Sequence, residues 1–174
     1  MKTITIYSFN ELDEKAKRLA LDNVKVSDVY TDSLNDCLAD FINYIMGEVG
    51  KGIISNVNSF ILNDDKIDYL IDEIYGENDT LGVRKAYEWH LLGEISYKNN
   101  FVNVVRRTAN QKVNNVANAF ERDICNWLHK VQENLEKEKE KFIAEYFSDE
   151  TVKDFIELHE YMFTDKGIGV VFDD

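Results

Sequence analysis

No proline interrupts the 174 residues, and from Arg107 to Phe147 there is no glycine either. Proline and glycine are the residues that end helices and open turns, so a stretch of this length without them is expected to stay helical. Within it Val113, Val116, Ala117, Phe120, Ile124, Trp127, Leu128, Val131 and Leu135 recur at three- and four-residue steps, the apolar stripe of one long helix. The segment from Glu133 to Lys141 is largely charged and sets Glu and Lys four residues apart, as an exposed helix does.

Shorter elements flank this helix. Thr3 to Tyr7 alternates β-branched and aromatic residues, a strand signal, and Ser8 with Glu11 has the spacing of a capping box opening a helix with Leu12, Ala16, Leu19 and Ala20 inward. A second helix is expected over Asp32 to Val49 and a third over Asp65 to Tyr75, ended by Gly76. Residues Ile53 to Leu62 read as extended, and Val83 to Val105 as two or three strands broken at Gly93 and at Asn99 and Asn100. Ser148 caps a last helix to Leu158, and Tyr161 to Phe163 with Ile168 to Phe172 reads as a hairpin turning at Gly167. The expectation is a single α+β domain over residues 1–174. One small antiparallel sheet, built from both termini and the middle strands, packs on several helices including the long one.

Apolar residues make up 44% of the chain and charged residues 30%, a folded composition. The 33 acidic side chains exceed the 20 basic ones, for a net charge of -13, which disfavours a protein that coats duplex DNA through phosphate contacts. Cys37 and Cys125 sit in helical patterns without partner spacing and read as buried thiols. His90, His129 and His159 fall in separate elements without zinc-ligand spacing. The Gly-rich phosphate loops and the nucleophile elbow are missing, so the chain is expected to act by binding, with no catalytic residue and no cofactor. The first residues lack an apolar leader and no run is long enough to span a membrane, which leads us to expect a cytoplasmic protein.

Charge is unevenly spread. Between Asp64 and Asp79 there are seven acids and one base, Lys66. At helical spacing Asp64, Asp65, Asp68, Asp72, Glu73 and Glu77 form a row of carboxylates, read either as a solvated face or as a partner-binding face that mimics a phosphate backbone. Between Glu94 and Glu121 the balance reverses, with Lys98, Arg106, Arg107 and Lys112 and no acid. Tyr97 and Phe101 lie among these bases, a composition suited to single-stranded RNA or to a loop that neutralises acids elsewhere.

The chain ends resemble a family of small acidic phage and prophage proteins labelled antitoxin-like. Its opening pattern, Tyr-x-Phe-x-Glu-Leu and then Ala-Lys, is met here by Tyr7, Phe9, Glu11, Leu12, Ala16 and Lys17. Its closing pattern is met by Ser148, Asp149 and Glu150, then Glu160, Tyr161, Phe163, Thr164 and Gly167. The family's Trp-Ser-Gln-Gly-Asp-Gly segment has no counterpart, since Trp89 is followed by His90, Leu91 and Leu92. The resemblance implies an inhibitor of a host defence nucleoprotein in the bacterial cytoplasm, of the type II anti-CRISPR class. Its partner is then a CRISPR effector with its guide RNA. Two mechanisms stay open: the acidic helix enters the effector's basic channel, or the Tyr97 to Lys112 region engages the guide. An antitoxin neutralising a basic toxin is the alternative, and a metal-dependent nuclease built on scattered carboxylates is another.

Overall fold

The computed structural model describes residues 5–170 and has an α+β architecture. Its contacts divide the chain into two compact units, one running to Phe41 and resuming at Lys139, the other Ile42–Glu138. Each unit has its own apolar cluster. Both boundaries fall inside helices, α2 (Asp28–Val49) and α5 (Gln111–Tyr146).

The unit that holds the chain ends begins with β1 (Tyr7–Ser8) and a 3-10 turn, Phe9–Glu11. Ser8 and Glu11 do form the expected box, the Ser8 amide and hydroxyl both donating to the Glu11 carboxylate at 2.8 and 2.9 Å. That box closes only the short turn. The helix, α1 (Glu14–Lys25), starts later, where the Asp13 carboxylate accepts from the Ala16 amide at 2.8 Å. Ala16, Ala20 and Val24 face inward, whereas Leu19, expected there too, is exposed. Ser148 caps α6 (Asp149–Leu158) as its sequence implies. The hairpin is β5 (Met162–Phe163) and β6 (Gly169–Val170), and β5 pairs antiparallel with β1, Tyr7 opposite Phe163. Thr3, Ile4, Val171 and Phe172, assigned to strands from sequence, lie outside the described residues.

Gly167 is required at the hairpin turn. Its φ of +71° is left-handed, and a Cβ there would stand 2.1 Å from the Ala16 carbonyl oxygen, so the turn rests directly on α1. Phe163 is fully buried and meets Phe9 edge to face, with Val152 and Ile156 of α6 completing this cluster. Tyr30 is also buried, its ring between Tyr146 and Phe155 and its hydroxyl donating to the Tyr146 carbonyl. Removal from water pushes that phenol up to about 12.

In the Ile42–Glu138 unit β2 (Ser59–Leu62), β3 (Leu92–Lys98) and β4 (Phe101–Arg106) form an antiparallel sheet in the order β2-β3-β4. The expected single sheet is therefore two sheets, since the terminal strands pair among themselves and the middle strands do the same. Asn99 and Asn100 both have positive φ, the conformation a two-residue hairpin needs, which is why this pair of asparagines marks the β3–β4 turn. Of Ile53 to Leu62 only the last four residues are strand.

Val83–Glu88 is a helix, α4, rather than the strand its Val, Tyr and Trp content suggests. The Asp79 carboxylate accepts from the amides of Gly82 (2.9 Å) and Arg84 (2.7 Å), which nucleates the turn, and Val83 and Ala86 are buried. The stripe read from α5 is the core: Val113, Ala117, Phe120, Ile124, Trp127, Leu128, Val131 and Leu135 are all buried. Cys37 and Cys125, expected inside, are both exposed residues. Each sits on the outer side of its helix stripe, though partial burial still raises the Cys125 thiol.

Candidate functional site: an acidic helix face

The acidic segment forms α3 (Asp64–Tyr75), opened by Asn63, whose side chain accepts from the Lys66 amide, and closed by Gly76 at φ 56°. Ile67, Leu70 and Ile71 are at most 1% exposed, so one side of the helix is locked into the core. The other side carries Asp64, Asp65, Asp68, Asp72 and Glu73, all exposed, with Glu77 just beyond the helix end. Asp64 and Asp65 lie in the first turn, where the helix dipole favours negative charge.

Of these six carboxylates only Asp72 forms an ion pair among the described residues, with Arg84 of α4. Asp79 is withdrawn from the row by its bonds to α4, and Lys66, the one base of the segment, donates to the Gly52 carbonyl. The result is a rigid helix that displays carboxylates about 6 Å apart along its rows. Tyr69 stands among them. It is one turn from both Asp65 and Glu73 and is 64% exposed. The charge tally missed this ring, although its place four residues from two acids is visible in the sequence.

A small cavity of about 270 Å³ opens on the α4 side of the helix, lined by Asp64, Asp68, Arg84, Tyr87, His90 and Arg107 among others. The Tyr87 hydroxyl oxygen is buried and has no hydrogen-bond partner among the described residues. Burial first, and then the charge of Asp64, push it above the usual phenol range, while Arg107 acts the other way.

The region proposed for RNA does not come together as one surface. Tyr97 is 6% exposed, its ring stacked on Phe60 at 5.3 Å and its hydroxyl donating to Asn100, so no base can stack on it. It falls on the inner face of β3 with Ile95, an orientation that strand alternation alone leaves undecided. Arg106 is likewise committed to the fold. Its guanidinium holds Glu121 of α5 through two bonds of 2.9 and 2.8 Å and also reaches Asn118 and the Val104 carbonyl. The hydrogen bonds from Arg106 to Glu121 raise the already high pKa of the guanidinium. Lys98 and Phe101 are exposed and face each other across the β3–β4 register, and Lys112 is exposed at the start of α5. Arg107 lines the cavity beside α3 instead.

Among the described residues no three His, Cys, Asp or Glu side chains are grouped to hold a metal ion, and no helix is long and apolar enough to cross a membrane. No protein-family model, curated protein or solved structure matches the chain.

Proposed function

We propose that the protein is a stoichiometric inhibitor that sets the acidic face of α3 against the cationic nucleic-acid channel of a partner. The observation that carries this reading is the set of four exposed carboxylates, Asp64, Asp65, Asp68 and Glu73, that have no ion-pair partner among the described residues and stand on a helix whose opposite side is buried. Such a face is preorganised, so docking orders few side chains, and it competes with phosphates for the same lysines and arginines. The net charge of -13 adds long-range attraction to a basic surface and speeds encounter at low salt. The partner class is a type II CRISPR effector, which the resemblance of the chain ends implies.

Titration into a DNA-cleavage reaction by a guide-loaded effector tests it, with the guide also run on a denaturing gel. Cleavage is expected to fall near one equivalent while the guide stays intact, and the effect is expected to weaken with rising salt, because exposed charges are screened beyond about 10 Å at 0.1 M. Reversing Asp65, Asp68 and Glu73 to Lys is expected to weaken inhibition at least tenfold with the fold retained, since none of the three is ion-paired among the described residues and all are exposed. Full cleavage at large excess across several effectors would remove the CRISPR reading. Growth rescue from a co-expressed basic toxin would then assign the same face to an antitoxin.

A further inference from the structure

The cavity of about 270 Å³ bordered by α3, α4 and the end of β4 gathers polar groups that the fold itself leaves unused. The Tyr87 hydroxyl oxygen is buried there without a hydrogen-bond partner among the described residues, a destabilising arrangement that native folds keep to a few groups. Arg107 is given room by the backbone of β3. A Cβ at Gly93 would stand 3.0 Å from its Nε and 3.2 Å from a terminal nitrogen, so the glycine leaves the space in which the guanidinium lies. That guanidinium forms no ion pair among the described residues, unlike Arg84, which holds Asp72, and Arg106, which holds Glu121. His90 closes α4 at φ 52°, its amide donating to the Tyr87 carbonyl and the Leu91 amide to the Ala86 carbonyl. Glycine is the usual residue at this point of a helix end, and histidine there adds an imidazole to the cavity wall.

We infer that this cavity binds a small zwitterion of the α-amino-acid class, its carboxylate held by the Arg107 guanidinium and the Tyr87 hydroxyl and its ammonium by Asp64 and Asp68. The lining carries both signs of charge, Asp64, Asp68 and Glu88 against Arg84 and Arg107. An anion alone would meet the three carboxylates, and a cation alone would leave Arg107 and Tyr87 without a partner. Burial keeps the phenol protonated, so it donates to an acceptor such as a carboxylate, and a guanidinium beside it adds charge-assisted hydrogen bonds. A cavity of this volume lies below the roughly 300–1,000 Å³ of sites for drug-sized ligands, which suits a single amino acid and not a nucleotide or a folded partner. Because the two groups that hold the carboxylate come from α4 and the end of β4, the site does not depend on what docks on α3.

NMR titration of the isotope-labelled full chain tests the site, with each standard L-amino acid, with acetate and ethylamine as its separate charged halves, and with inorganic phosphate. Amide shifts at Tyr87, His90 and Arg107 are expected with at least one amino acid, at an affinity about tenfold above that for acetate or ethylamine. Arg107→Gln and Tyr87→Phe are each expected to weaken that binding about tenfold, because each loses a hydrogen bond to a charged group. The free Tyr87→Phe chain is expected to melt no earlier than the native one, since the hydroxyl it loses is buried without a partner. Earlier melting would show that the hydroxyl serves the fold and would overturn its assignment to a ligand. No response to any amino acid would remove the site, as would acetate binding as tightly as the zwitterion. Phosphate binding more tightly than every amino acid would replace the zwitterion by a plain anion. Should Arg107→Gln fail to fold, Gly93→Ala, whose methyl group crowds the guanidinium, takes its place, and unchanged binding in it would free Arg107 of the role.

Discussion

The Asp149 carboxylate accepts from Lys25 Nζ across the α1–α6 contact, and that hydrogen bond, then the lysine's charge, hold its pKa below the ordinary value of 3.8. A carboxyl depressed in the folded state stabilises it in full above its unfolded value and loses that contribution as pH falls through the folded one. Glu11 behaves in the same way through the two Ser8 donors. Asp149→Asn is therefore expected to melt earlier than the native chain at pH 7, with the difference shrinking as the pH is lowered below 3.8. Thermal melts across that range check it, and a pH-independent difference would mean that the pair has no electrostatic role. Glu11 is read from sequence as half of a capping box and forms it, whereas Asp149 is the first residue of α6, behind the cap Ser148. What spacing leaves out is the lysine, which lies 124 residues from Asp149.

Helix α5 illustrates how far periodicity carries at the scale of an element. Each residue of its expected stripe is buried except Val116, which is partly covered, because a helix 36 residues long repeats one face many times and local spacing fixes that face. Phe120 is fully buried against the rings of Tyr75 and Tyr87. Phe120→Ala is expected to destabilise the chain by about 3–5 kcal/mol, from lost transfer energy and the remaining cavity, as read from urea unfolding. The short elements were less legible. Val83–Glu88 has strand-like residues yet is helical, since Asp79 caps it and one buried face is sufficient over six residues. In β3 alternation was visible, but it does not say which face is inward, and so Tyr97 looked available when it is core.

At the scale of the whole molecule, two apolar clusters share the chain, one around Phe9, Ala20 and Phe163, the other around Ile71, Ile95 and Phe120. Separate clusters open separately when one is weakened. Phe163→Ala is thus expected to speed amide hydrogen exchange through α1 and α6 and to leave β3 and β4 protected, whereas uniform acceleration would show that the units unfold as one. The sequence by itself determined the longer helices, the Ser148 cap, the stop at Gly76, the turns at Asn99 and Gly167 and the carboxylate row of α3, because each depends on neighbours within a turn or two. Only the tertiary structure decided that the strands form two sheets, that Tyr97 and Arg106 belong to the fold, and that Asp72 is the carboxylate of its row that pairs with Arg84. Those outcomes depend on groups far apart in the chain, whose meeting is set by burial of the two cores and leaves no periodic mark in the sequence.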